Sequence, residues 1–523
     1  METQTIKVEL SESYVYWQCR KALKEELAKP KHTSLKDLPK LFKEVGLEVK
    51  LKNKIHEICK AKSSATGTVM KSRGLDIPGP LPPLPPFFTE PYFEPLGTIE
   101  RAGRNWSELL RRRLCSLTAK QEQPFLRSRE APWVWAKPVE VPAREEGDDS
   151  MIEERREEID FIYDARDMLG AIQSIRSENM KLMGTEWGSL NVHLYTPSLD
   201  ALRAEYEDLG LEHKQIGIDD ERPFYEERLN LCESRLSEDY IPELQKLARR
   251  GIPPSLRGRV YSRILECSVG SKESEYFEFL LEQAMRWELS LDLLIEADTR
   301  QTCNEEQYFL FQENLEKMMF CFYRDSWVGD NLSSLPSIPL MGQAPDGKKI
   351  GKLPPAGMLP CKSFSLLAAP FTYLSEQMEE SYYIFRSFYC RYFCFVHSLT
   401  SDYNGIISLC RLFEDLLQTF ESELVYNLDQ IGISPIKIAF PWIFYCFAGF
   451  IDVEQVLLLW DRIIGFDGLA VVAVFAASIF SYRADMLKQC TSQEEVDDLF
   501  ADMQHIKVVP ILQDFLFLNP KGV

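Results

Sequence analysis

Arg250-Gly-Ile-Pro-Pro-Ser-Leu-Arg-Gly-Arg-Val-Tyr261 is the stretch on which the fold turns. Gly251 permits a tight entry turn. Pro253 suits a first helical turn, where its missing N–H costs nothing. Leu256, Val260 and Ile264 then step along one face at helical spacing, so the string opens a helix with one buried side. Arg250 and Arg257 are available to carboxylates on neighbouring helices. Taken alone, the string is a helix start with buttressing arginines and carries no chemistry.

Outward from this string, nearly every segment from Tyr240 to the C-terminal end repeats its apolar residues every three or four positions. No alternating run is long enough to suggest a sheet, so this part is expected to be all-α. Toward the N-terminus, Val15, Cys19, Ala22, Leu23 and Leu27 share a helix face that Pro30 stops. Leu35, Leu38, Phe42 and Val45 form a second face closed by Gly46, and Leu51, Ile55 and Ile58 extend the pattern. Ile77-Pro-Gly-Pro-Leu-Pro-Pro-Leu-Pro-Pro can be neither helix nor central strand. With Phe87, Phe88, Tyr92 and Phe93 after it, it is expected to lie as an extended strap on the N-terminal helices; an SH3 or WW ligand is the other reading. Trp106, Leu109, Leu110, Leu114 and Leu117 make a further amphipathic helix, with Arg111-Arg-Arg on its solvated face. Residues 119–160 read as a linker ending in the acidic stretch from Glu145 to Asp160. The expected organisation is therefore 1–60 helical, 61–160 strap, helix and linker, 161–239 helical lead-in, and 240–523 one large domain.

Composition narrows the function. The 523 residues carry a net charge of −20, which excludes a basic nucleic-acid-binding face as the dominant feature and disfavours direct docking on acidic membranes. Thirteen cysteines are scattered, with no C-x-x-C pair and no zinc-finger spacing, so reduced thiols and a cytoplasmic setting are expected. The N-terminus lacks an apolar signal region and has no glycine after Met1 for myristoylation. Ile438–Ile451 and Leu469–Tyr482 are too short to span a bilayer and read as buried helices. Gly270-Ser-Lys lacks the earlier glycine of a phosphate loop, and no cofactor is called for. His397 is expected to be a satisfied core histidine.

The opening string, with Gly251, Pro253, Arg257 and Gly258 in place and Tyr261 where a Trp is usual, is very similar to the first motif of TBC domains. Three further segments follow in that family's order. Ile295-Glu-Ala-Asp298-Thr-Arg-Gln-Thr302 resembles the I-x-x-D-x-x-R-T loop. Ser363-Phe-Ser-Leu-Leu-Ala-Ala-Pro370 resembles the tail of the Y-x-Q-G-M motif. Phe440-Pro-Trp-Ile-Phe through Glu454-Gln-Val-Leu-Leu-Leu-Trp460-Asp461 resembles the late helices ending in a Trp-Asp pair. The resemblance implies a two-lobed helical domain that binds Rab-family GTPases and inserts an Arg and a Gln beside the nucleotide. The Arg would stabilise phosphoryl charge and the Gln would position the attacking water. An arginine finger of this kind is worth about 10³–10⁵ in rate. Trp460 would be core, with Asp461 bonding a neighbouring Arg or backbone N–H.

Alignment on Asp298 and Thr302 puts Gln301 at the Arg position, with Arg300 one place early. Alignment on Pro370 puts Lys362 at the Gln position, Ser363 at the Gly and Phe364 at the Met. A neutral amide cannot neutralise charge as guanidinium does. An ammonium donates but cannot accept from water. A Gly/Pro-rich insertion spans 326–361, beside the binding face. Three functions stay open: a Rab binder with weak or no activation, an activator using Arg300 or Lys362, and a helical scaffold in a larger complex. The resemblance implies that any link to membranes runs through a partner. The partner of the N-terminal helices is not legible.

Overall fold

The computed structural model describes residues 95–120, 125–129, 135, 161–175, 190, 194, 196–218, 221–332, 340–343 and 349–518. The expected N-terminal helices, the proline strap and the acidic stretch 145–160 lie outside these residues.

Helices dominate, in agreement with the periodicity. Those that position the site are α1 (Pro95–Lys120), α2 (Ala165–Gln173), α3 (Ile241–Ala248), α4 (Pro254–Ile264), α5 (Asp292–Cys303), α6 (Gln312–Arg324), α7 (Met378–Arg391), α8 (Ile406–Phe420), α9 (Pro435–Phe444), α10 (Val453–Phe466) and α11 (Ala470–Tyr482). α5 and α6 pack on each other, and α6 also packs on α7. α8, α9 and α11 form a second group, to which α10 is joined through α11. α10 packs on α3 as well, which ties the opening motif to the second group. α11 is apolar nearly all round and is buried from Ala470 to Phe480, so the 469–482 run is a core helix. No helix among the described residues is long and apolar enough to cross a membrane. No disulfide joins the described cysteines.

Two features depart from the expectation of helix alone. β1 (Leu126–Ser128) pairs antiparallel with β2 (Trp287–Leu289), and β3 (Leu340–Gln343) pairs with β4 (Lys349–Leu353). Three- to five-residue strands are too short for alternation to register in a sequence. β1 also shows that part of the expected linker is packed. Arg127 pairs with Glu288 at 2.7 Å, and Arg129 reaches the buried Asp292 at 2.5 Å. Further along, Trp135 lies edge-on to Phe320. The 326–361 insertion folds into a short helix (Ser326–Asn331) and the β3–β4 hairpin. It returns through Ala356, Met358, Leu359 and Cys361, all of which are buried.

One hydrophobic core runs from Ile99, Trp106 and Leu114 on α1, through Ile162, Tyr163 and α2, to Leu516. Described residues before 240, from Ile99 on α1 through Ile162–Ile175 to Leu209, are thus built into the same core as the helices after them.

Candidate functional site

The opening motif acts as a brace. Gly251 takes φ +92°, a conformation that costs glycine little. Pro253 is the N-cap of α4 and Pro254 is its first residue, so the helix starts one place later than the proline argument suggests. Asp461, fully buried, accepts from Ile252 N (3.1 Å), Arg257 Nε (3.0 Å) and the Tyr261 hydroxyl (2.9 Å). Arg250 finds no carboxylate: its guanidinium donates to the Lys214 carbonyl at 3.0 and 3.2 Å. The Gly258 position faces the Leu374 carbonyl closely, and a side chain there would collide with backbone. Trp460 is core, with Nε1 donating to the Cys446 carbonyl at 3.1 Å.

The second motif is not a loop. Asp298, Arg300, Gln301 and Thr302 all lie within α5. Its buried face carries Leu294, Ile295, Asp298, Thr299 and Thr302, while Leu293, Arg300 and Gln301 face solvent. In a helix, a one-residue offset is a rise of about 1.5 Å and a rotation of roughly 100°. That rotation turns Arg300 back over its own helix, where it pairs with Glu296, a residue almost wholly buried. Gln301 stands exposed beside the anchored Thr302.

Asp298 joins the second motif to the third. Its carboxylate accepts from Ser363 N (2.5 Å) and Ser365 N (2.7 Å), and Thr302 Oγ1 lies 2.7 Å from Ser365 Oγ. Ser363 takes φ +63°. A left-handed conformation costs a non-glycine residue about 1–2 kcal/mol, which explains why glycine suits this position. Here the two amide bonds to Asp298 hold a serine in it. Pro370 is buried in the short helix Ala369–Tyr373 that follows.

Lys362 is fixed by its backbone. Its N–H donates to the Tyr163 carbonyl (2.9 Å), and its carbonyl accepts from the Tyr445 hydroxyl (2.6 Å). Tyr163 is itself held edge-on to Trp106 of α1, with ring centroids 5.4 Å apart. Arg113 of α1 donates to the Ile162 carbonyl (2.9 Å) and to both oxygens of Asp167 (2.8 and 3.1 Å). Residues 162–167 and α1 thereby clasp the loop that carries Lys362. This contact is not legible in the sequence, because a backbone hydrogen bond between remote residues leaves no side-chain signature. The structure brings Asp298, Lys362 and Ser363 together. It places Arg300 on the same helix as Asp298, turned toward Glu296.

Burial lifts the Asp298 carboxyl to about 6, while hydrogen bonds from Ser365 and Ser363 and the charge of Lys362 pull it back down. An unfolded aspartate titrates near 3.9. Between those values the folded chain holds more proton than the unfolded one, so stability contributed here falls as pH rises from about 4 to 6. Two pH units correspond to about 3 kcal/mol. Asp298→Asn removes this slope. In urea unfolding, the gap in stability between the variant and the wild type should change by about that amount across the window. A gap independent of pH would show that another group carries the titration.

His397 is core but only half satisfied. Its Nδ1 lies 2.9 Å from the Tyr389 hydroxyl, whereas the buried Nε2 has no hydrogen-bond partner among the described residues. Burial drives its pKa down to about 3, so the ring is neutral.

The model of the Rab-GTPase-TBC domain matches residues 361–488, beginning at the clasped loop. The human protein TBC1 domain family member 19 is 31% identical over 531 residues, covering 97% of this chain and 96% of that protein. Among solved structures, the Chlamydomonas flagellar RabGAP TBC domain aligns with a TM-score of 0.42 at 14% identity, over 61% of this chain and 96% of that one. The Ypt/Rab-GAP domain of Gyp1p aligns with a TM-score of 0.39 at 13% identity, over 56% and 96%. With a relative of this identity matched along nearly its whole length, and with the buried Arg257–Asp461 brace and the Asp298-anchored loop at the family's motif positions, the chain belongs to the Rab-GTPase-TBC domain family.

Proposed function

We propose that this protein binds GTP-loaded Rab-family GTPases and accelerates their hydrolysis weakly or not at all. The observation that carries this reading is the Arg300–Glu296 pair. Arg300, one place before the finger position, is turned onto its own helix, and the finger position itself holds the neutral Gln301. To serve as a finger, Arg300 would have to give up Glu296 and swing by roughly 100° around α5. Lys362 supports a second reading, as a source of positive charge. Its loop is pre-organised on both sides by Tyr163 and Tyr445, although an ammonium cannot accept from the attacking water. Recruitment to a membrane would then come through the bound GTPase.

The test is equilibrium binding of the full chain to a panel of Rabs loaded with GDP or a non-hydrolysable GTP analogue. At least one Rab is expected to bind the triphosphate form at least tenfold more tightly. Equal binding of both forms by every Rab, or no binding, would remove this reading and leave a scaffold.

A further inference from the structure

Ser363 is held in a backbone conformation that a residue with a side chain does not favour. Its left-handed φ of +63° persists only where the surroundings impose it. One hold is the Asp298 carboxylate on Ser363 N and Ser365 N. The other is the grip of Tyr163 and Tyr445 on the main chain of Lys362, one residue before. Tyr445 caps α9, which is packed among the helices of the second group. Tyr163 stands in a stretch that α1 secures, through the Trp106 ring against its own ring and through Arg113 on the Ile162 carbonyl and Asp167.

α1 is attached along one face. From Ile99 to Ala119 only Ile99, Trp106, Leu110 and Leu114 are buried, and the opposite side is open to solvent. The joint beneath the helix is not filled. A cavity of about 30 Å³ lies between Gly103, Trp106 and Leu110 of α1 and Tyr163, Leu359 and His397. A gap forfeits the dispersion contacts that a filled interior supplies, so this joint opens at lower cost than the helices behind it. The Arg113–Asp167 pair is itself partly exposed. At Gly103 the helix runs close to the chain it covers: a Cβ there would lie 3.0 Å from the Leu399 carbonyl oxygen. A larger side chain at 103 therefore pries α1 away without touching the Lys362 loop.

We infer that α1 is a positioning element for the Lys362 loop. Docked, it fixes Tyr163, and Tyr163 fixes the loop in the shape presented to the GTPase. Released, it leaves the loop with Asp298 and Tyr445 alone, and the left-handed turn at Ser363 relaxes. A loop shaped in advance spares a partner the cost of shaping it. Restoring that turn on binding would weaken affinity by about tenfold. Arg113, Trp106 and Gly103 are thus positioning residues that act through Tyr163. The effect on affinity rests on the Rab-binding reading above, whereas the coupling of α1 to the loop does not.

The test uses Gly103→Leu, Arg113→Ala and, as a control, Arg112→Ala in the full chain. Arg112 is exposed and pairs only with Glu108 on its own helix. Hydrogen exchange is followed at residues 99–114, 361–365 and 470–480, beside melting temperature and affinity for the tightest GTP-analogue-loaded Rab of the panel. Gly103→Leu and Arg113→Ala are expected to speed exchange at least about tenfold in 99–114 and in 361–365 together, with 470–480 as protected as in the wild type. Both should bind the Rab about tenfold more weakly, and Arg112→Ala should match the wild type throughout. The two variants open the joint by different means, so a folding failure of one leaves the other to decide. Faster exchange in 99–114 with 361–365 unchanged would overturn the inference and make α1 a brace only. Faster exchange in both with affinity within about twofold of the wild type, or with tighter binding, would overturn the positioning role. A wild type that binds no Rab would remove the Rab-binding reading and the affinity effect with it, while exchange in the two segments still decides whether α1 holds the loop.

Discussion

Gln301→Arg combined with Lys362→Gln is expected to raise the single-turnover GTP hydrolysis rate of the bound Rab on the order of 10³-fold over wild type. Gln301 is exposed on α5 next to Thr302, whose hydroxyl holds Ser365, so an arginine there starts from an anchored helix and projects outward. It is also rotated roughly 100° from Arg300, away from the position that pairs with Glu296. The second substitution leaves the Lys362 loop intact, because Tyr163 and Tyr445 grip the backbone of residue 362 and not its side chain. An amide at this position can accept from water and donate to phosphate, which ammonium cannot. Gln301→Arg alone is expected to recover part of the gain, since guanidinium supplies the larger electrostatic effect. A double variant that binds the GTPase as wild type does, yet accelerates nothing, would place the defect in the loop geometry around Ser363.

Asp461→Ala is expected to lower stability by about 3–5 kcal/mol. The carboxylate is fully buried and takes hydrogen bonds from Ile252, Arg257 and Tyr261. It is also the counter-charge felt by two further buried guanidiniums, Arg228 and Arg462. Arg462 is held otherwise by the Leu458 and Ile216 carbonyls and the Gln215 amide oxygen, and burial lowers its pKa to about 10. Without Asp461 three positive charges remain in the interior, and α4 keeps only the 3.5 Å bond from the Tyr261 hydroxyl to the Leu457 carbonyl as a side-chain tie to α10. Asp461→Asn should cost less, because the amide oxygen still accepts from Ile252 or Arg257. Urea denaturation followed by circular dichroism gives both values. A loss below about 1 kcal/mol for Asp461→Ala would mean that the carbonyls around the arginines suffice.

Much of this was legible from residue types. The 250–261 string announced a turn and a helix, and Gly251 and the α4 face conform to it. Arg257 calls for a carboxylate and Asp461 for an Arg or a backbone N–H, because buried charges demand partners, but that the two meet each other is seen only in the fold. Arg250 misled because a half-buried arginine donates as readily to a nearby carbonyl, here that of Lys214. Periodicity revealed the helices but not their phase relative to partners. The loop expected at the second motif came from the family resemblance and not from the periodicity, which is helical there; on α5 the one-place offset of Arg300 is a rotation about the helix. The clasp of Tyr163 on Lys362 joins residues far apart in sequence through main-chain atoms.

The central claim is that Rab binding survives in a chain whose finger positions no longer support catalysis. It is tested most directly by single-turnover GTP hydrolysis of the tightest-binding Rab at saturating concentrations of the wild-type protein. A rate within about tenfold of that of the Rab alone is expected while the complex is demonstrably formed. Acceleration of about 10³-fold or more, abolished by Arg300→Ala or by Lys362→Ala, would contradict it.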